Sequence, residues 1–463
     1  MVVLKRVFIA WILAVGLVGC GGGGSDTTSA LDSETPTLSA STNLVDSEAQ
    51  ATAASNFNPA TDSALSYLNY LRAYVQLPAY VENATLLKSA NAHLDYMLHH
   101  NALGHIEDPQ NALYFTGKTP QNRTISAGYN WPGVSENISY NQSNFTGLID
   151  ELMTAVYHRM SLLDFQKDEI GIAYKESAVP NKDDDPVWSA LVTNAGVSAL
   201  ETLCQAGGDG RIGYLCDNNA RISADRYQSE LDALAQKAAD MVVWPAPNSQ
   251  VLPTFYEETP DPLPDCKVSG NPVSVQVNPS KLADYTLLPD TFRLIEKVTG
   301  TEIVLNRVLS NVTDQPDAEA AHWKTTEKEW FAAFPQQRLK WQTLYEASFD
   351  YLYGGQTMTK TWQFLTPSLD GEMVTLYHNA QYDYHLGQTL YIYVPPENCT
   401  VNANKWTSNY EYDTQQTPEL TVEVVDPQTL KLVARKVSQL SLTFTQTDLS
   451  GQEYMKTLKL NIR

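Results

Sequence analysis

The stretch LLKSANAHLDYMLHHNALGH, Leu86 to His105, decides how this chain reads. Leu86, Leu87, Ala90, Leu94, Met97 and Leu98 recur every three to four positions, the period of one buried helix face. Asn101 and Gly104 then supply the residues that helices use to stop. The spacing predicts a helix that ends near His100 and delivers His105 onto a loop.

Working outward, Leu65, Leu68, Leu71, Tyr74 and Val75 keep the same period until Pro78, which predicts a helix over 63–76. Leu148, Leu152, Ala155, Val156, Met160 and Leu163 predict a third over about 146–162, followed by a strand through Glu169, Ile170, Gly171, Ile172, Ala173 and Tyr174. Helical period returns over 223–243 through Leu231, Leu234, Ala235, Ala238 and Met241. From Trp244-Pro245 onward, Pro253, Pro260, Pro262 and Pro264 repeatedly remove backbone donors, so this passage reads as a linker. Beyond it the period changes to two. Val273, Val275 and Val277 alternate, as do stretches within 291–309. Tyr345 to Tyr353 runs to a Gly354-Gly355 stop, and Thr389 to Val394, Leu420 to Val425 and Lys456 to Ile462 follow as strands. The expected class is α+β, with a mixed first half and one or two all-β sandwich domains after it.

The N-terminus reads as an export signal, because Lys5 and Arg6 precede an apolar run too short to span a bilayer of about 30 Å. Its ending, Leu17-Val18-Gly19-Cys20, resembles the bacterial lipobox, which implies lipidation of Cys20 and placement in the cell envelope. Gly21 after that Cys implies the outer membrane in a Gram-negative cell. Residues 21–61, rich in Gly, Ser, Thr, Asp and Glu, read as a disordered tether. The whole chain of 463 residues carries 31 Lys and Arg against 53 Asp and Glu, a formal charge of −22, so a nucleic acid is excluded as an expected partner.

With Cys20 lipidated, Cys204, Cys216, Cys266 and Cys399 remain, and four thiols allow three pairings. Cys204 with Cys216 closes the shortest loop, a constraint that contributes roughly 3 kcal/mol. Cys266 with Cys399 would then be a long-range staple. Neither spacing is Cys-x-x-Cys, which argues against a zinc ribbon or a thioredoxin-type site.

The order of several elements carries a resemblance. Asn69-x-x-Arg72, Leu87-x-x-Ala90-x-x-His93-x-x-Tyr96-Met97 and Asn101-x-x-x-His105 are followed by Thr119-Pro120-x-x-Arg123 and Ala127-Gly128-Tyr129. Then come Ser135-Glu136-Asn137-Ile138, with Ser where Gly is usual, and Tyr157-His158-Arg159 with Gly171 beyond. Together these resemble the CAP superfamily, or SCP domain. The resemblance implies an α-β-α sandwich, a CAP domain with a disulfide-containing extension over 62–258, after the 1–20 signal peptide and the 21–61 tether. Separately, Phe334-Pro335-x-x-Arg338-Leu339 through Tyr345, Gly354-Gly355 and Trp362-Gln363-Phe364 resemble a bacterial Ig-like domain, which gives 266–367 as an Ig-like sandwich and leaves 368–463 as a C-terminal β-domain. The CAP resemblance also implies that His105, Glu136 and His158 converge in an open cleft. Two imidazoles and a carboxylate suit a divalent cation, zinc or else calcium or magnesium. Equally, the carboxylate could act as a general base. The family's second acid is missing: Leu152 and Ala155 stand in its helix pattern, with Glu151 the nearest substitute. Arg72, Arg123 and Arg159 are expected to be structural donors. His99, His100, His322, His378 and His385 show no ligand spacing.

The leading expectation is an exported lipoprotein whose His/Glu cleft binds a small-molecule, lipid or protein ligand. Gly-x-Ser-x-Gly and His-Glu-x-x-His are both missing from the sequence, which lowers a protease-like hydrolase to the alternative, beside a non-catalytic adhesive or architectural protein.

Overall fold

In the computed structural model, which describes residues 58, 62–142, 144–176, 189–255, 258–313, 329–402, 404–411 and 419–463, Ser63 starts the first helix. Its hydroxyl accepts from the Ser66 amide and caps α1 (Ala64–Tyr74). The signal and Cys20, most of the tether, and His322 lie outside the described residues. A short strand β1 (Val81–Glu82) leads to Asn83, whose side chain accepts from the amides of Thr85 and Leu86 and caps α2 (Ala84–His100). Asn101, at φ 51°, ends α2 in the left-handed conformation expected of it. Thr119 and Asn122 form a reciprocal capping box at α3 (Pro120–Ala127), and Gly128 closes it at φ 110°.

The sheet that organises this half comprises β1, β2 (Ser135–Tyr140), β3 (Glu169–Glu176) and β4 (Ser189–Gly196) in the order β1-β3-β4-β2, with only β1 and β3 parallel. Alternation along the strands sorts the side chains into two layers. Ile138, Ala173, Ala190 and Val192 pack on Ala90, Leu94 and Met97 of α2. Ile170, Ile172, Leu191 and Ala195 join Leu68 and Leu71 of α1 in the opposite layer. That is an α-β-α sandwich, with β2 at one edge.

The single helix expected over 146–162 is two: α4 (Phe145–Thr154) and α5 (Val156–Leu162), separated by Ala155 at φ −81°, ψ 122°. The break is stable because side chains take the orphaned backbone groups. Arg159 donates to the carbonyls of Met153 (2.6 Å) and Thr154 (3.1 Å), while Glu258 accepts from the amides of Val156 (2.6 Å) and Tyr157 (3.0 Å). After α6 (Ser198–Gln205) and the small hairpin β5 (Tyr214–Leu215) and β6 (Arg221–Ile222), the helix expected over 223–243 stops early, as α7 (Ala224–Ala235). The Asn278 side chain takes the carbonyls of Ala235 and Ala239, and the β-branched pair Val242-Val243 enters strand β7 (Met241–Trp244).

β7 pairs with β8 (Val273–Val277), so the first β-sandwich begins before the proline-rich passage, which runs between two paired strands. Its two sheets hold β9 (Tyr285–Glu296), β10 (Thr301–Glu302), β11 (Leu305–Ser310), β12 (Trp330–Pro335), β13 (Leu344–Tyr353) and β14 (Gln356–Leu365), in the orders β10-β9-β13-β14 and β11-β12-β8-β7. A second sandwich follows: β15 (Glu372–Thr375), β17 (Leu390–Tyr393), β20 (Thr429–Arg435) and β19 (Glu419–Asp426) face β16 (Ala380–Tyr384), β22 (Glu453–Ile462), β21 (Gln439–Thr447) and β18 (Lys405–Glu411) around their own core. The first sandwich, by contrast, shares one continuous core with α1 and α4. Arg159 fastens that junction, donating also to Pro272 O, Ser274 Oγ and Asn271 Oδ1.

Cys204 and Cys216 are disulfide-bonded. The Cys266 and Cys399 thiols are unbonded, yet the backbone brings them together, with Lys267 N and Val268 N donating to Cys399 O at 2.5 and 3.1 Å. Among the described residues, no helix is long and apolar enough to cross a membrane.

Candidate functional site: the His105 and Glu136 cleft

Glu136 is the second residue of the edge strand β2, and its side chain is 1% exposed. A buried carboxylate needs compensating donors. Arg123, from α3, supplies them: Nη2 donates to Oε1 at 2.7 Å and to Oε2 at 2.8 Å, while Nη1 donates to His105 O at 3.0 Å. The same guanidinium therefore fixes both the acid and the backbone of the loop that presents His105. His105 Nδ1 lies 3.0 Å from Glu136 Oε1, and its ring is 41% exposed.

Behind this pair is a second buried layer. His93 of α2 places Nδ1 2.9 Å from Glu107 Oε1 and Nε2 3.1 Å from Gly104 O. Both partners are acceptors, a geometry that an imidazolium satisfies. Glu107 also accepts from the amides of Thr116 and Gly117 and lies 3.7 Å from Arg123 Nε. Arg123 thus lies between the two buried acids, and His93 links Glu107 to the Gly104 carbonyl behind them.

Burial by itself would raise the Glu136 carboxyl, but the hydrogen bond from His105 and the charges of Arg123 and His93 hold it below the usual carboxylate range. An ionised Glu136 can only accept, so Nδ1 of His105 carries the hydrogen and Nε2 is the nitrogen with an open lone pair. The pair can hydrogen-bond a ligand O–H or N–H group, or take a proton from a bound water.

His158 is placed differently. It sits on α5 with Nδ1 3.2 Å from Glu258 Oε2 and its ring 16% exposed. Successive residues of β2 point to opposite faces. Glu136 reaches Arg123, while Asn137 reaches Ser161 of α5 and Thr193 of β4. The structure therefore brings His105 and Glu136 into contact and gives His158 a separate carboxylate partner on the α5 side. Glu151 is likewise on that side, accepting from Ser139 Oγ at 2.7 Å. Burial pushes its carboxyl up to about 7, against the hydrogen bonds of Ser139 and Gln142 and the charge of His158. The break at Ala155 removes the helix-face alignment of Glu151 with His158 that a continuous helix would give.

These positions also bear on the cation. Both oxygens of Glu136 are committed to a guanidinium, which a cation at that carboxylate would have to face across a few ångströms. His105 Nε2 is the one open lone pair of the two side chains. Among the described residues no cluster of three or more His, Cys, Asp or Glu is arranged to hold a metal ion.

Three participants escaped the sequence reading. His93 was legible only as part of a spacing, Glu107 follows His105 by two positions with no motif of its own, and Glu258 stands 100 residues beyond His158 in a passage read as a linker.

Residues 65–189 match the model of the cysteine-rich secretory protein family, CAP. The chain carries a CAP domain. His105, Glu136 and His158 all fall inside the match. The CAP domain is followed by the two all-β sandwiches. Among solved structures, an extracellular protein containing a SCP domain from Bacillus anthracis aligns at 17% identity over 28% of this chain and 38% of that one, with a TM-score of 0.23. The alignment thus spans well under half of that protein. The cysteine protease inhibitor EhICP2 of Entamoeba histolytica aligns at 18% identity over 20% of this chain and 93% of its own, TM-score 0.14. The N-terminal Ig1-2 module of the Drosophila receptor protein tyrosine phosphatase DLAR aligns at 10% over 49% and 100%, TM-score 0.14. No curated protein matches the chain.

Proposed function

We propose that this is an exported, lipid-anchored CAP-domain protein that binds an extracellular or periplasmic ligand at the His105 and Glu136 cleft, with residues 21–61 tethering the CAP domain to the membrane and the two sandwiches beyond it serving as spacer or adhesive modules. The observation that carries the reading is the half-exposed His105 ring, held at Nδ1 by a buried carboxylate that Arg123 fixes in turn. A fixed imidazole with one open nitrogen recognises a ligand that offers a hydrogen-bond donor, and the exclusion of water beneath it strengthens that bond. The same geometry favours one second reading, a hydrolase in which Nε2 accepts a proton from water.

The chain without residues 1–61 is to be titrated by calorimetry with zinc, calcium and magnesium, and assayed on a peptide library, beside His105→Ala and Glu136→Gln. The ligand reading expects a peptide, lipid or small molecule to bind the parent and to lose affinity in His105→Ala. Cation heat lost in both variants would replace the hydrogen-bonding role by a metal site. Turnover lost in both would promote the hydrolase. Identical behaviour of all three proteins would remove the cleft from function.

A further inference from the structure

Tyr67, Tyr70 and Tyr74 stand in a row on α1, on the side turned toward the first sandwich. Tyr67 and Tyr70 are stacked with centroids 6.1 Å apart and planes at 19°, and Tyr70 meets Tyr74 edge-on at 5.1 Å. Helical spacing produces such a row only if tyrosine recurs at three- and four-residue steps. All three rings rest on the shared core with part of their surface left open. They line a cleft of about 540 Å³ between the CAP domain and the sandwich, with Asp150 among its walls. Tyr74 also lines a second cleft of about 310 Å³, where Tyr285 and Tyr351 from β9 and β13 stack at 5.7 Å and 24°. Tyr74 lines both clefts, so five partly exposed tyrosines border two adjoining hollows that together make a trough along the domain junction.

Each end of the trough holds a carboxylate tied to a tyrosine hydroxyl. Tyr67 donates to Asp150 at 2.5 Å, and Tyr285 donates to Asp240 at 3.0 Å. Asn248 and Gln250 add amides at the rim. A series of ring faces with acceptors and amides beside them matches a ligand that repeats an apolar face edged by hydroxyls. Domain junctions are preferred places for such sites. A sterol or acyl chain would cover these carboxylates and amides while offering them no hydrogen bond in place of water. The acids and the formal charge of −22 disfavour a polyanion.

We propose that this tyrosine trough between the CAP domain and the first sandwich is a binding site for a linear, neutral oligosaccharide, distinct from the His105 cleft. The chain without its signal is to be titrated, by calorimetry and by tyrosine fluorescence, with soluble cello-, chito-, malto- and laminari-oligosaccharides, and with heparin as a polyanion. The expected result is saturable binding of at least one neutral series that tightens with chain length. Tyr74→Ala, in the wall of both hollows, should weaken it about tenfold or more, and Tyr351→Ala, on the sandwich side, should weaken it too. Tyr74→Phe keeps the ring and should bind nearly as the parent does. Thermal melting confirms that each variant folds, and because the two alanine changes lie in different modules, misfolding of one leaves the other as the test. His105→Ala should leave the saccharide affinity unchanged, which separates this site from the cleft. The proposal is overturned if no neutral series binds, if heparin alone binds, or if folded Tyr74→Ala and Tyr351→Ala both match the parent.

Discussion

Replacing Glu136 by Gln probes the centre of the CAP domain without changing its shape. In the parent, both carboxylate oxygens take Arg123 Nη2, at 2.7 and 2.8 Å, with both side chains essentially buried. Removing one member of a buried pair leaves the other charge uncompensated, at a cost of about 3–5 kcal/mol. Glu107, 3.7 Å from Arg123 Nε, retains part of the compensation, and the amide keeps one acceptor. The expected loss is therefore at the low end, about 3 kcal/mol, or a melting point lower by about 6 to 10 °C. His105→Ala removes a half-exposed ring from the same carboxylate and should cost less than about 1 kcal/mol. Because Glu136 is held below its unfolded value, its contribution is complete above the ordinary glutamate pKa of about 4.3 and is lost as pH falls through the folded value. The gap between parent and Glu136→Gln should be widest near neutrality and narrow in acid. Scanning fluorimetry and urea unfolding across pH measure it. Equal melting of parent and Glu136→Gln at neutral pH, or an equal loss in His105→Ala, would refute the reasoning.

Three further outcomes follow from the packing and the thiols. Gly171→Ala should destabilise the CAP domain by about 3 kcal/mol or more, because a Cβ there would lie 2.0 Å from Leu87 N and 2.1 Å from Leu86 C, backbone that cannot step aside; urea unfolding checks this. Glu151→Gln should leave stability nearly unchanged near pH 4 and raise it by about 3 kcal/mol near pH 8. The parent acid has a folded value raised to about 7, so its favourable contribution is full below the unfolded value and is lost as pH rises through 7. Cys266, whose thiol burial and Cys399 push up to about 12, should pair with Cys399 when the protein is made in an oxidising compartment. Intact mass under non-reducing conditions should show two disulfides, and one disulfide would contradict it.

The parts legible in the sequence are those decided locally. The period of Leu86 to Leu98, the stop at Asn101 and the alternation of Val273, Val275 and Val277 each reflect a preference the chain expresses within a few residues, and each forms as written. His105 and Glu136 were legible because their spacing belongs to the family pattern. The break at Ala155 was not, since neither Gly nor Pro stands between 148 and 162 to mark it. It depends on Glu258, about a hundred residues further along, and on Arg159 turning back to the Met153 carbonyl. The end of α7 is similar: Ala238 and Met241 continue a helical period, but Asn278 caps the carbonyls and β8 offers a partner to Val242 and Val243. Tertiary partners override a weak local preference wherever they satisfy the same backbone groups.

The most direct test of the central claim is the protonation pattern of the His105 ring, read from imidazole 15N shifts and one- and two-bond couplings at neutral pH in the parent and in Glu136→Gln. A hydrogen on Nδ1 with a bare Nε2 in the parent, and loss of that fixed pattern in the variant, is the predicted result. A hydrogen on Nε2 in the parent, or identical spectra for the two proteins, would contradict it.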